Sequence, residues 1–225
     1  MEEPSFEALE NTLPIGVFKM DTLEAARMLY QKKGEGEKVA FLNMASEFKA
    51  GGGVANGSLA QEESIARRSN LVQSLNKAFY PLASDELLFS PEVTVIRDEQ
   101  LRFDPDHEFP CAAISCAAIR KPDLRADGHY RQKHATLMEN KILAILKVAI
   151  MNDIDNLVLG AFGCGAFCNP VNDVAAIFKK ILVMDGYARF FKRIVFAILT
   201  KSEKDWNNLK VFSTMFAGFV VPNNK

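Results

Sequence analysis

The sequence has no apolar run approaching the ~18 residues that identify a membrane-spanning helix, so no helical span is expected. It opens MEEPSFEALE, acidic and polar where an export signal is basic and then apolar, which leads us to expect a cytoplasmic protein, or a nuclear one in a eukaryote. Neither sign of charge is in excess: 27 Lys and Arg face 28 Asp and Glu, a formal net charge of -1. Such a chain exerts no global pull on nucleic acid or an anionic membrane. Sequence-specific nucleic-acid binding is therefore not expected, and any polyanionic ligand must be held locally. Cysteine is scarce, with four residues paired in sequence as Cys111/Cys116 and Cys164/Cys168, spacings that fit no zinc-finger pattern. Free thiols are the expectation. The three histidines, His107, His129 and His134, are tied to no cysteine by any motif, which disfavours a Cys–His nucleophile. No carboxylate cluster calls for a metal, and no cofactor is implied. Repeats, low-complexity segments and linkers are also missing, so residues 1–225 read as one domain of monomer size, with about the first fifteen residues loosely packed.

What is present is an alternation of short apolar runs with longer helical patterns. VAFLNM (39–44), VTVIR (93–97), AAISCAAI (112–119), NLVLGAF (156–162) and RIVFAIL (193–199) are short and apolar enough for buried strands. Residues 58–79 read as one helix burying Ile65, Leu71, Leu75 and Phe79; a second buries Leu137, Ile145 and Val148; a third spans 169–184 with Pro170 in its first turn; a fourth spans 205–218. Strands that need cover on both faces predict an α/β domain, three layers α/β/α around a mixed sheet.

Three stretches are candidates for chemistry. GGGVANGSLAQEES (51–64) sets three glycines seven residues before Gln61-Glu62-Glu63. A glycine triplet is expected where backbone takes positive φ or is closely approached. The structural explanation for the second half is a capping box from Ser58 to Gln61, with Glu62 and Glu63 suited to a helix dipole. Two adjacent glutamates lie about 100° apart around a helix, so they cannot share one role. One can exchange a proton with a ligand while its neighbour grips a hydroxyl. FLNMASEF, just upstream, places Asn43 and Ser46 at the carboxyl end of a strand, where ligands gather in open α/β sheets. LVLGAFGCGAFCNP is a strand-to-helix crossing with Gly160, Gly163 and Gly165 in its loop, an arrangement whose backbone N–H groups suit a diphosphate. It is not the G-x-G-x-x-G fingerprint, which disfavours a Rossmann oxidoreductase. Phe162 reads as core, and Phe167, inside the glycine loop, as a ligand contact. The basic clusters Arg67-Arg68, RKPDLR and HYRQK read as solvated, though either kind of cluster can steer a polyanion.

Taken together, these stretches resemble the microbial-type poly(ADP-ribose) glycohydrolases, a branch of the macrodomain fold whose signature is a glycine triplet followed by Gln-Glu-Glu. The resemblance also covers DTLEAARML (21–29), ARRSNLVQSL (66–75), FSPEVTVIRD (89–98) and AISCAAIRKP (113–122). It implies Glu63 as the catalytic acid/base and Glu62 as the partner that holds a ribose hydroxyl. It implies ADP-ribose contacts from Asn43, Gly51, Gly52, Gly53 and Gln61, and from the second loop Gly163, Cys164, Gly165, Ala166 and Phe167. The implied ligands are ADP-ribose, poly(ADP-ribose) or ADP-ribosylated proteins. The implied reaction is hydrolysis of the ribose–ribose bond; an ADP-ribose reader, or a hydrolase of mono-ADP-ribosyl or O-acetyl-ADP-ribose substrates, are the alternatives. Two departures stand out: Cys168 replaces a second glycine, and the segment before residue 20 is short, which bears on the adenine side of the site.

Overall fold

A computed structural model of the chain describes residues 14–103 and 105–217; most of the N-terminal stretch expected to pack loosely lies outside these residues. The strands are β1 (Ile15–Phe18), β2 (Val39–Met44), β3 (Leu87–Val95), β4 (Phe109–Cys116), β5 (Asn156–Leu159) and β6 (Arg193–Ala197). The helices are α1 (Thr22–Lys32), α2 (Gln61–Arg68), α3 (Leu71–Ser74), α4 (Gln132–Met151), α5 (Val171–Lys179) and α6 (Glu203–Phe216). The strands form one sheet in the order β1-β6-β5-β2-β4-β3. All neighbours are parallel except β3, which runs antiparallel to β4 at the edge. Pro91 interrupts that edge strand at its register shift, a position where a missing N–H is tolerated.

Period-two alternation assigns each strand residue to a face. Ala40, Leu42, Ile114, Leu157, Leu159, Ile194 and Phe196 point into a core shared with α4, α5 and α6, where Phe178 and Phe196 meet edge to face at 5.1 Å. Val39, Phe41, Ala113, Val158 and Val195 point the other way, against Leu23, Ala26 and Leu29 of α1 and Ile65 of α2. The sheet is thus covered on both faces, as the apolar runs require.

Boundaries differ from the sequence reading for physical reasons. The helix expected over 58–79 ends at Arg68, because Asn70 turns to bracket β3: its N–H donates to the Thr94 carbonyl and its side chain accepts from the Thr94 N–H, at 3.1 and 2.8 Å. Phe79, expected to be buried on that helix, faces solvent at 57% exposure. On α4 the buried stripe is Met138, Ile142, Ile145 and Ala149, so Leu137 and Val148 sit beside it. The third helix continues past α5 as a wider turn over Lys180–Met184. Strand β3 begins earlier than the apolar run suggested, and β1 and α1 are additions. Helix α1 carries a readable signal, Asp21 capping the N–H of Leu23 at 2.8 Å.

Arg68 corrects the reading of Arg67-Arg68 as solvated. Arg67 remains at the surface, but Arg68 is 2% exposed and donates to Asp21 and Glu24, each at 2.6 Å. This ion pair ties the end of α2 to the start of α1. Arg68→Met keeps the packed stem but strands the buried Asp21 carboxylate, and removing one partner of a buried pair costs about 3–5 kcal/mol. Urea unfolding should show a lower midpoint with unchanged slope; a wild-type midpoint would show that the pair contributes nothing to stability.

Candidate active site

The first turn of α2 is fastened by its side chains to backbone elsewhere. The Gln61 side chain accepts from the Met44 N–H at 2.9 Å and donates to the Leu42 carbonyl at 2.7 Å, extending the hydrogen bonding of β2. A capping role for it is thereby excluded. The residue preceding α2 is Ala60, no side chain caps the helix, and Ser58 lies beneath the glycine loop instead. Glu62 accepts from the Ser46 N–H at 2.6 Å and from the Gly51 N–H at 3.1 Å; Glu63 accepts from the Gly53 N–H at 2.7 Å. The glycine triplet is therefore wrapped around two carboxylates. Gly52 shows why: at φ +57°, a Cβ there would stand 2.4 Å from Glu63 Oε1 and 2.9 Å from Glu62 Oε2. Only glycine fits between them.

Both carboxylates are buried, Glu62 at 4% exposure and Glu63 at 8%. Desolvation by burial lifts Glu62 from the usual 4.5 to about 7, against the hydrogen bonds from Ser46 and Asn43 and with a further push from the Glu63 charge. Asn43, read as a ribose contact, has no exposed surface; it lies behind Glu62, donating to Ser115 Oγ at 3.0 Å and toward Glu62 at 3.5 Å. Three buried polar atoms without a hydrogen-bond partner among the described residues belong to this neighbourhood: Glu63 Oε2, Asn43 Oδ1 and the Tyr80 hydroxyl. Burial and the nearby Glu62 together push that phenol up to about 12. Orphaned buried polar groups are uncommon in folded proteins and concentrate where function requires them.

A cleft of about 330 Å³ opens beside this turn, at the carboxyl ends of the parallel strands. Met20 to Thr22, Met44, Ala45, Gln61 and Phe167 contribute to its walls, with Ala197 to Leu199 and, from α6, Asp205 and Asn208. The crossing from β5 to α5 supplies a second kind of surface. Cys164 N–H donates to Ala161, Cys168 N–H to Gly165 and Asn169 N–H to Gly163, closing the turn on itself. The N–H groups of Gly163, Gly165, Ala166 and Phe167 have no acceptor among the described residues, an arrangement of donors that suits an anion. A Cβ at Gly165 would meet no atom within 4 Å, whereas one at Gly163 would strike Asn169 and Ala118 at 2.4 and 2.5 Å.

The predicted residues thus fall into two neighbouring groups. Gln61, Glu62, Glu63, Gly51, Gly52, Gly53 and Asn43 form one bonded unit whose glycine N–H groups are satisfied within the chain, Gly52 by the Lys49 carbonyl. Gly163, Gly165, Ala166 and Phe167 form the open nest, and Cys164 is buried behind it. Cys168, where the resemblance has glycine, takes φ +58°, a conformation that favours glycine. All four cysteines are free thiols. Sequence reading missed Asp21, Asn208 and Lys204, whose ammonium holds the Gly165 carbonyl at 2.7 Å. Only Asp21 carried a signal, as a helix cap. Among the described residues no group of three or more His, Cys, Asp or Glu is placed to hold a metal ion, and no helix is long and apolar enough to cross a membrane.

A mixed six-stranded sheet between helical layers, with its cleft at the strand ends, is a macrodomain-like architecture. Residues 3–98 match the family model of the microbial-type PARG catalytic domain, PARG being poly(ADP-ribose) glycohydrolase. The poly(ADP-ribose) glycohydrolase of Thermomonospora curvata superposes with a TM-score of 0.81 at 31% identity, covering 96% of this chain and 79% of that one. The same enzyme bound to the inhibitor ADP-HPD gives 0.80 at 34% identity, covering 92% and 80%. The Deinococcus radiodurans enzyme in complex with ADP-ribose gives 0.77 at 28% identity, covering 92% and 85%. Comparison with curated proteins gave no match. The chain belongs to the microbial-type poly(ADP-ribose) glycohydrolase family.

The raised pKa of Glu62 has a consequence for stability. A carboxyl whose folded pKa lies above its unfolded value contributes stability that is complete below about pH 4.5 and is lost as pH rises through about 7. Between these limits the stability of wild type relative to Glu62→Gln, which does not titrate there, should fall by on the order of 3 kcal/mol. Urea unfolding of both proteins across this range measures it; parallel curves would return Glu62 to the ordinary carboxylate range.

Proposed function

We propose that the protein hydrolyses ribose–ribose O-glycosidic bonds in poly(ADP-ribose), releasing ADP-ribose, with Glu63 as acid and base. Family membership supports the reaction, and one observation supports the residue. Glu63 Oε1 is anchored by the Gly53 N–H while its other oxygen is buried with no hydrogen-bond partner among the described residues. One oxygen fixes the carboxyl and the other is left for a proton transfer.

In this reading the diphosphate of the terminal unit takes the N–H groups of the β5–α5 nest, which brings its ribose toward the carboxylate pair. Glu63, protonated, gives its proton to the departing 2′-oxygen as the bond to the anomeric carbon breaks and positive charge develops on the ring. The resulting carboxylate then takes a proton from water as that water adds to the anomeric carbon, and the acid is regenerated. The negative diphosphate held nearby favours the cationic centre. Glu62, gripped by Ser46 and Gly51 N–H groups, keeps the glycine turn in place and presents a carboxyl that can engage a ribose hydroxyl.

Glu63→Gln retains size and the Gly53 hydrogen bond but cannot transfer a proton. Hydrolysis of labelled poly(ADP-ribose) should fall by at least ~10²–10⁴-fold, the range for a general acid–base group, while calorimetry shows ADP-ribose binding preserved. Gly165→Val, placed where nothing in the protein is met, should leave the unfolding midpoint unchanged and weaken ADP-ribose binding. Wild-type turnover in Glu63→Gln would remove the catalytic assignment; a wild-type protein that binds ADP-ribose and releases none from polymer would be a reader.

A further inference from the structure

Arg120 lies just beyond β4, opens the RKPDLR cluster that the sequence reads as solvated, and belongs to neither of the two groups of site residues described above. Its backbone is held from both sides: Asn169 Nδ2 donates to the Ile119 carbonyl at 2.7 Å, and the Lys121 N–H donates to the Phe167 carbonyl at 2.8 Å. The guanidinium so placed stands 5.3 Å from the centre of the Phe167 ring and 5.9 Å from that of Phe48, both within cation–π range. Three segments meet in this contact. Phe167 belongs to the nest and the cleft wall; Phe48 precedes Lys49, whose carbonyl receives the Gly52 N–H of the carboxylate-bearing turn. Neither Arg120 nor Phe48 lines the cleft itself. They lie beyond it, joined to it through Phe167.

We propose that Arg120 and Phe48 form a subsite for the nucleotide on the leaving side of the scissile bond, the next adenosine with its diphosphate. The proposal rests on the hydrolase reading above. Poly(ADP-ribose) differs from a single ADP-ribosyl group in what continues past the bond cleaved: a base that can stack and two phosphates that can accept hydrogen bonds. Phe48 has Arg120 over its ring but is still 59% exposed, and aromatic faces stack any base. Arg120 has no carboxylate partner among the described residues, so its planar fork of donors is available to phosphate oxygens. Lys49 and Lys121, each next in sequence to one of the pair, are exposed and likewise without an ion pair among the described residues. In a chain of near-zero net charge this is local positive charge beside the carboxylate turn, where an anionic polymer would emerge.

The test uses a substrate of two linked ADP-ribose units and, separately, free ADP-ribose. Arg120→Gln and Phe48→Ala change exposed groups, and both should keep the wild-type unfolding midpoint. Each should raise KM for the two-unit substrate about tenfold with little change in kcat, the pattern of lost ground-state binding. The dissociation constant for free ADP-ribose should stay at the wild-type value, and Arg120→Lys should recover part of the loss. Rising salt should weaken turnover of the two-unit substrate less in Arg120→Gln than in wild type. Unchanged KM in both variants would overturn the subsite while leaving the hydrolase reading intact. Equal weakening of free ADP-ribose binding would also overturn it, making Arg120 a clasp on the cleft. A wild-type protein that cleaves neither polymer nor the two-unit substrate would take down both readings.

Discussion

The site depends on three consecutive side chains at the start of α2 being bonded to backbone that is distant along the chain. Gln61 locks onto β2, Glu62 onto Ser46 and Gly51, and Glu63 onto Gly53. A helix N-terminus with no side-chain cap would ordinarily fray. Here it is held because its side chains serve the strand and the turn in front of it. The arrangement fixes the helix, the glycine turn and the end of β2 relative to one another, Gln61 through its neutral amide on β2 and the two carboxyl groups through the N–H donors of the turn.

From that constraint the glycine requirement follows directly. Two carboxylates cannot receive N–H groups from adjacent turns unless the turn backbone comes within van der Waals reach of them, and at Gly52 the approach leaves no room for a methyl group. Burial then follows from closeness. Glu62 loses water to the turn that grips it, and desolvation outweighs the hydrogen bonds it gains, which is why its pKa rises instead of falling. The second loop obeys the opposite logic. Four of its N–H groups find no acceptor among the described residues, and its conformation is maintained by Asn169, whose amide reaches the Ile119 and Gly163 carbonyls and whose oxygen accepts from the Tyr130 hydroxyl. One loop is filled by the protein's own carboxyl groups, and the other keeps donors without an acceptor among the described residues.

How much of this was legible in the sequence depended on the range of the interaction that decides each feature. Local signals were readable: the apolar runs of β2, β5 and β6, the triplet with its Gln-Glu-Glu, and the glycine crossing after β5. The role of Gln61 was not, because the same Ser-x-x-Gln spacing serves a capping box or a chance neighbour, and the choice was made by strand residues 17 and 19 positions away. The helix expected over 58–79 was broken by Thr94, a partner that no window around residue 70 contains. Arg68 was read as solvated because Asp21 and Glu24 lie 47 and 44 positions distant, and a buried arginine is exceptional until its carboxylates are found. Strand β1 is four residues long, too short for periodicity to register.

Cys168 shows how the two loops can tolerate substitution differently. It occupies a left-handed position at φ +58°, where a side chain carries a conformational penalty, yet its thiol is exposed and displaces nothing. The loop around it is held by Asn169, which donates to the Gly163 carbonyl, and by Lys204, which donates to the Gly165 carbonyl. A comparable change at Gly52 would meet two carboxylates with no freedom to move, since each is already bonded to the turn that would have to yield. The second loop can therefore vary at its margin, at Cys168, whereas the loop that houses the carboxylates is constrained at its centre by the groups it positions.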